Sequence, residues 1–88
     1  MIIDDRYYES YDELIDEYKE KGDNLLWSMK DGNLIKINNM TTKYITNCIN
    51  MMKNKEQNDR IKAWIFIFED VIIKRRINII NKIKNKIS

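Results

Sequence analysis

From Arg60 to Ser88 the chain contains neither glycine nor proline. Nothing there breaks a helix, and Ile61, Ile65, Phe68, Ile72, Ile79 and Ile83 recur close to a seven-residue rhythm, the spacing that lines apolar side chains along one seam. This pattern predicts a long final helix. About 28 residues at 1.5 Å each would run about 42 Å, longer than the core of so short a chain needs. Its basic end is therefore expected to project from the body or to pair with another chain. Ala63 to Phe68 is apolar on every side and β-prone, so a central strand competes with the helix over that stretch.

The rest of the chain is 59 residues of an 88-residue total, enough for one small core and no second one. One domain is expected over 1–88, with 74–88 as a basic helical extension. Apolar residues make up 43% of the chain and charged residues 34%, a balance that favours folding over disorder.

Ser10-Tyr11-Asp12-Glu13 fits a capping box, in which the serine oxygen accepts a first-turn N–H and the glutamate reaches back to the cap. Tyr11, Leu14, Ile15 and Tyr18 then recur at helical spacing, and Gly22 can adopt the left-handed conformation that ends a helix. This predicts a helix over about 11–21. The segment Leu25 to Ile37 carries two short β-prone runs around Lys30-Asp31-Gly32. A three-residue loop with Gly32 left-handed sets Trp27 opposite Ile35 and Leu25 opposite Ile37, and gathers Leu25, Trp27, Met29, Ile35 and Ile37 on one side. A two-residue turn would oppose Trp27 to Lys36 and scatter that side, so the longer loop is preferred. Met40 then precedes Thr41 as a hydrophobic staple aimed at Ile45, and Ile45, Cys48, Ile49 and Met52 form the stripe of a second helix, with Tyr44 and Met51 at its edges. The polar run Asn54 to Asp59 is the break before the final helix. The class is α+β, mostly α: N-terminal helix, short β-hairpin, second helix, long C-terminal helix.

The chemistry available is narrow. There is no histidine, and Cys48, the one cysteine, lies on an apolar stripe with no imidazole to activate it, so it reads as a core residue. No phosphate loop, dinucleotide fingerprint, nucleophile elbow or metal-ligand spacing occurs, and no catalytic residue, metal or cofactor is expected. No apolar run nears the roughly 20 residues of a membrane span, and no secretory leader pattern follows Met1; a cytoplasmic location is the expectation.

Charge is distributed unevenly. Residues 1–23 hold nine acids against three bases, a net of −6, which leaves +8 for residues 24–88. Asp12, Asp16 and Glu20, with Glu13 and Glu17 beside them, put a row of carboxylates on one face of the first helix. Such a row is either a solvated face opposite Leu14 and Ile15 or a mimic of a phosphate backbone that would bind a nucleic-acid groove on a protein. Lys74, Arg75, Arg76, Lys82, Lys84 and Lys86 form the opposite pole, with no acid among them from Lys74 onward. They could neutralise phosphates, while the interleaved Ile77, Ile79, Ile80, Ile83 and Ile87 suit an amphipathic helix that meets a partner helix or a second copy. Trp27 and Trp64 sit inside apolar patterns and read as core anchors.

The block Trp27-Ser28-Met29-Lys30-Asp31-Gly32-Asn33-Leu34-Ile35-Lys36-Ile37-Asn38-Asn39-Met40-Thr41, followed by Tyr44-Ile45 and Asn47, resembles a recurrent pattern in small uncharacterised phage and prophage proteins. Trp64 with Phe68-Glu69 matches the later part of that pattern, and the whole covers about half the chain. Tyr44 stands where histidine is common in the family. The resemblance implies a mobile-element origin and a stoichiometric binder of host machinery, such as an inhibitor of a CRISPR-type nuclease complex. A nucleic-acid-associated accessory protein that uses the basic tail is the alternative.

Overall fold

The computed structural model describes residues 11–87, with side chains followed as far as Lys84. The elements come in the predicted order: α1 (Tyr11–Lys21), a 3-10 turn (Gly22–Asn24), β1 (Leu26–Ser28), β2 (Leu34–Lys36), a second 3-10 turn (Ile37–Asn39), α2 (Thr42–Lys53) and α3 (Asp59–Ile87). Ser10 and its capping box lie outside the described residues. α1 ends where Gly22 takes φ +57°.

The hairpin adopts the register that a three-residue loop dictates. Trp27 pairs with Ile35, Leu26 with Lys36 and Ser28 with Leu34. The Met29 N–H donates to the Asn33 carbonyl at 2.8 Å, leaving Lys30, Asp31 and Gly32 as the loop, with Gly32 at φ +90°. Two strands of three residues cannot hold together alone in water. Here Trp27 presents its edge to Trp64 at 4.9 Å and to Phe68 at 5.0 Å, so the hairpin is held by its inward face against α3.

Thr41 caps α2 as its position predicts: its Oγ1 accepts the Tyr44 N–H at 3.1 Å, while Met40 and Ile45 are both buried. The predicted stripe Ile45, Cys48, Ile49 and Met52 is buried in full. α3 starts at a cap the sequence reading passed over. Asn58, inside the polar run, accepts the Ile61 N–H on its side-chain oxygen at 2.9 Å.

Residues 63–68 belong to α3, which disposes of the competing strand. Burial there follows helical spacing, since Ala63, Trp64, Ile67, Phe68 and Val71 are buried while Phe66 is exposed. The buried face nonetheless differs from the seven-residue seam. Of that seam Phe68 alone is central; Ile61, Ile65 and Ile72 pack at the margin, and Ile79 and Ile83 are exposed. The core face is turned from the seam toward the side that carries Trp64, Ile67 and Val71. α3 lies between α1 and α2 with the hairpin across it, and these neighbours cover that side. Tyr11 meets Phe66 and Tyr18 meets Asp70, so α1 runs in the direction of α3; Thr42 meets Arg75 and Lys53 meets Glu69, so α2 runs against it.

Among the described side chains Val71 is the last buried one of α3, and every one from Arg76 to Lys84 is exposed. The helix therefore outruns the body, and the molecule measures 58 × 25 × 23 Å.

Candidate binding surfaces

Among the described residues no polar or charged residue is buried, and no group of three or more acids and cysteines is placed to hold a metal ion. No helix among them is long and apolar enough to cross a membrane. The features that distinguish the molecule lie on its exterior.

On α1, Asp12, Glu13, Asp16 and Glu20 are exposed, and Glu17 is half-buried and pairs with Lys21 at 3.3 Å, one turn on. The acidic row predicted from spacing is thus a continuous solvent face. The basic pole divides in two. Lys74 and Arg75 are tied to the body, whereas Arg76, Lys82 and Lys84 stand on the projecting part of α3, and Lys86 falls in its last turn.

The ties are specific. The Lys74 ammonium lies 2.9 Å from the Asp70 carboxylate and 5.2 Å above the Tyr18 ring, and the Tyr18 hydroxyl donates to the same carboxylate at 2.7 Å. Burial alone would raise the Asp70 pKa; the hydrogen bonds from Tyr18 and Lys74 outweigh it and hold the carboxyl below its ordinary value. The hydrogen bond to Asp70 raises Lys74 in turn. Burial pushes the Tyr18 hydroxyl up, and the neighbouring carboxylate adds to that. Arg75 forks: one nitrogen donates to Thr42 Oγ1 at 2.9 Å, the other to the carbonyls of Met40 at 2.9 Å and Ile37 at 3.2 Å. Both residues help to fasten α3 to the elements packed on it.

Sequence reasoning missed a groove. It opens between the hairpin, the end of α1, α2 and the start of α3, with a volume of about 1150 Å³. Trp27, Trp64 and Met52 form part of its wall, and Leu26, Leu34 and Met51 line it while remaining exposed. Glu17 of the acidic face also lines it. Tyr44 and Met51, at the edges of the α2 stripe, were the only sequence signal, because the groove is a junction of four elements. Cys48 lines it too but is itself buried, and burial raises its thiol pKa, against a smaller lowering by Tyr44. That is the behaviour of the core residue expected from the sequence.

Among the described residues the other large apolar side chains left exposed are Phe66, Ile73, Ile77, Ile79, Ile80 and Ile83, all on α3. Fold and surface together define a mostly helical α+β domain with two separate exposed apolar faces. No family model, curated protein or solved structure matches the chain.

Proposed function

We propose that this chain is a non-catalytic protein-binding module whose working surface is the groove and the acidic face of α1 that borders it. One observation carries the reading: Leu26, Leu34 and Met51 stay 46%, 61% and 38% exposed around a concavity walled by two tryptophans. Exposed apolar side chains around a concavity are a mark of an interaction site. Glu17, paired with Lys21, belongs to both features, so the carboxylate row starts beside the groove. The row Asp12, Asp16 and Glu20, with Glu13 beside it, adds the charge that would attract a basic groove on a partner.

The narrower reading is a phage-derived stoichiometric inhibitor of a host CRISPR-type nuclease complex. It rests on the resemblance of the Trp27 to Thr41 block and on carboxylates standing in for phosphates. The test is affinity capture from a bacterial host, followed by binding of the purified partner to Met51→Glu and to the triple variant Asp12→Lys, Asp16→Lys, Glu20→Lys. All four sites are exposed, so the tryptophan near-UV signal should be unchanged. Loss of binding in either variant supports the module; full affinity in both removes it.

The alternative, phosphate binding by the basic helix, draws support from Arg76, Lys82 and Lys84 on the projecting segment. With Arg75 donating to Thr42, Met40 and Ile37 and Lys74 paired with Asp70, phosphate contacts by Arg76, Lys82, Lys84 and Lys86 would give a slope of log K against log salt near −3.6 on duplex DNA instead of about −5.4 for six contacts. A slope of that size without a protein partner would shift the function to nucleic acid.

A further inference from the structure

Phe66, Ile73, Ile77 and Ile80 occupy one row of α3, at steps of seven, four and three residues, with Ile83 at its edge next to Ile80 and Ile79 turned away to another side of the helix. Each of the four in the row is between 47% and 53% exposed, although Phe66 is flanked by the Tyr11 ring of α1. Beyond the body Lys84 falls within this row and Arg76 at its edge, while Lys82 lies on the opposite side of the helix. We infer that this face is a self-association surface, occupied by the same face of a second copy in antiparallel orientation. The inference is independent of the groove and its partner.

Two features favour that occupant. The first is charge. At the body end the row is flanked by Glu69, which Lys53 already meets at 3.3 Å, and Tyr11 packs its ring on Phe66 at 6.5 Å, which brings the start of the acidic α1 face, Asp12, to that end. The far end carries Arg76, Lys82, Lys84 and Lys86. A parallel pair would stack base on base, whereas an antiparallel pair lays each basic segment along the other copy's acidic end.

The second is length. The projecting residues 76–87 span about 18 Å, and the exposed strip from Phe66 to Ile77 spans about 17 Å at the helical rise. Each extension thus matches the strip it would cover.

With the two-fold axis between Arg76 and Ile77, Ile73 of one copy lies against Ile80 of the other, and Glu69 against Lys84. Residue 77 meets its own counterpart near the axis. Residue 80 is displaced from its counterpart by seven positions, about 10 Å along the helices, too far for a disulfide.

The test uses the full chain with Cys48→Ala as background. Light scattering should give a mass near twice 10.7 kDa for the unmodified protein. Under mild oxidation Ile77→Cys should link to itself, Ile80→Cys alone should not, and mixed Ile73→Cys and Ile80→Cys chains should link to each other. Self-linking of Ile73→Cys and Ile80→Cys as efficiently as Ile77→Cys would mean a parallel pair and would overturn the orientation. The double variant Ile77→Glu, Ile80→Glu should be monomeric with an unaltered tryptophan signal, since both positions lie on the exposed face. A monomeric unmodified chain at the highest concentration it tolerates overturns the inference, as does binding of that monomer through these isoleucines to vesicles of anionic phospholipid, which would assign the face to a lipid surface instead.

Discussion

Arg75 and Arg76 are neighbours of identical chemistry with different duties, and replacing each in turn by methionine separates them. Methionine keeps an unbranched apolar stem and removes the guanidinium. For Arg75 the loss comprises three hydrogen bonds: to Thr42 Oγ1 at 2.9 Å, to the Met40 carbonyl at 2.9 Å and to the Ile37 carbonyl at 3.2 Å. The Ile37 carbonyl retains the Met40 N–H at 2.9 Å and loses least. A hydrogen bond to a charged group contributes about 1.5–3 kcal/mol, but Arg75 is half-buried and water replaces part of what is removed, so a net loss of about 2 kcal/mol is expected. For a domain of this size the urea m-value is about 1 kcal/mol/M, which places the Arg75→Met midpoint about 2 M below that of the unmodified protein at unchanged m. Arg76→Met, on the exposed segment, should stay within about 0.5 kcal/mol. Arg75→Lys should recover only part of the loss, because one ammonium cannot fork across three acceptors. Equal midpoints for Arg75→Met and Arg76→Met would refute the clamp and return Arg75 to the exterior charges.

Asp70 provides a pH test. Its pKa is held low by Tyr18 and Lys74 against the effect of burial, so its stabilisation is present above the unfolded carboxylate value of about 3.9 and is lost as the pH falls through the depressed folded value. Asp70→Asn should therefore be less stable than the unmodified chain at neutral pH, by under about 1 kcal/mol for so exposed a pair, and the gap should close in strong acid; a gap that widens in acid contradicts the assignment. The Asn58 cap is checked by Asn58→Ala, which should cost about 1 kcal/mol in the same urea unfolding. A neutral result would mean that α3 starts without it.

Short-range rules made much of the fold legible. The Thr41 cap, the Met40 staple and the α2 stripe depend on residues three to five positions apart, and the hairpin register depends on where Gly32 reverses the chain. None of these requires knowledge of the remainder of the molecule. The length of α3 was legible for a similar reason, as nothing from Arg60 onward interrupts it. Its orientation was not. Between Ile61 and Ile73 apolar residues occupy nearly every side of the helix, so periodicity offers several faces, and only the positions of α1, α2 and the hairpin select the one bearing Trp64, Ile67, Phe68 and Val71.

The same reasoning explains the charges. The acidic row on α1 is a property of one helix and could be read from spacing. The basic pole was read as one tract because sequence displays charge without surroundings, and folding then brought the Ile37 and Met40 carbonyls to Arg75 and the Asp70–Tyr18 pair to Lys74. The groove arises only where four elements meet. Backbone preference and side-chain period act within a few residues and are written along the chain; which faces touch is settled by how whole elements share one core, a choice the apolar sides of α3 leave open until its neighbours take their places.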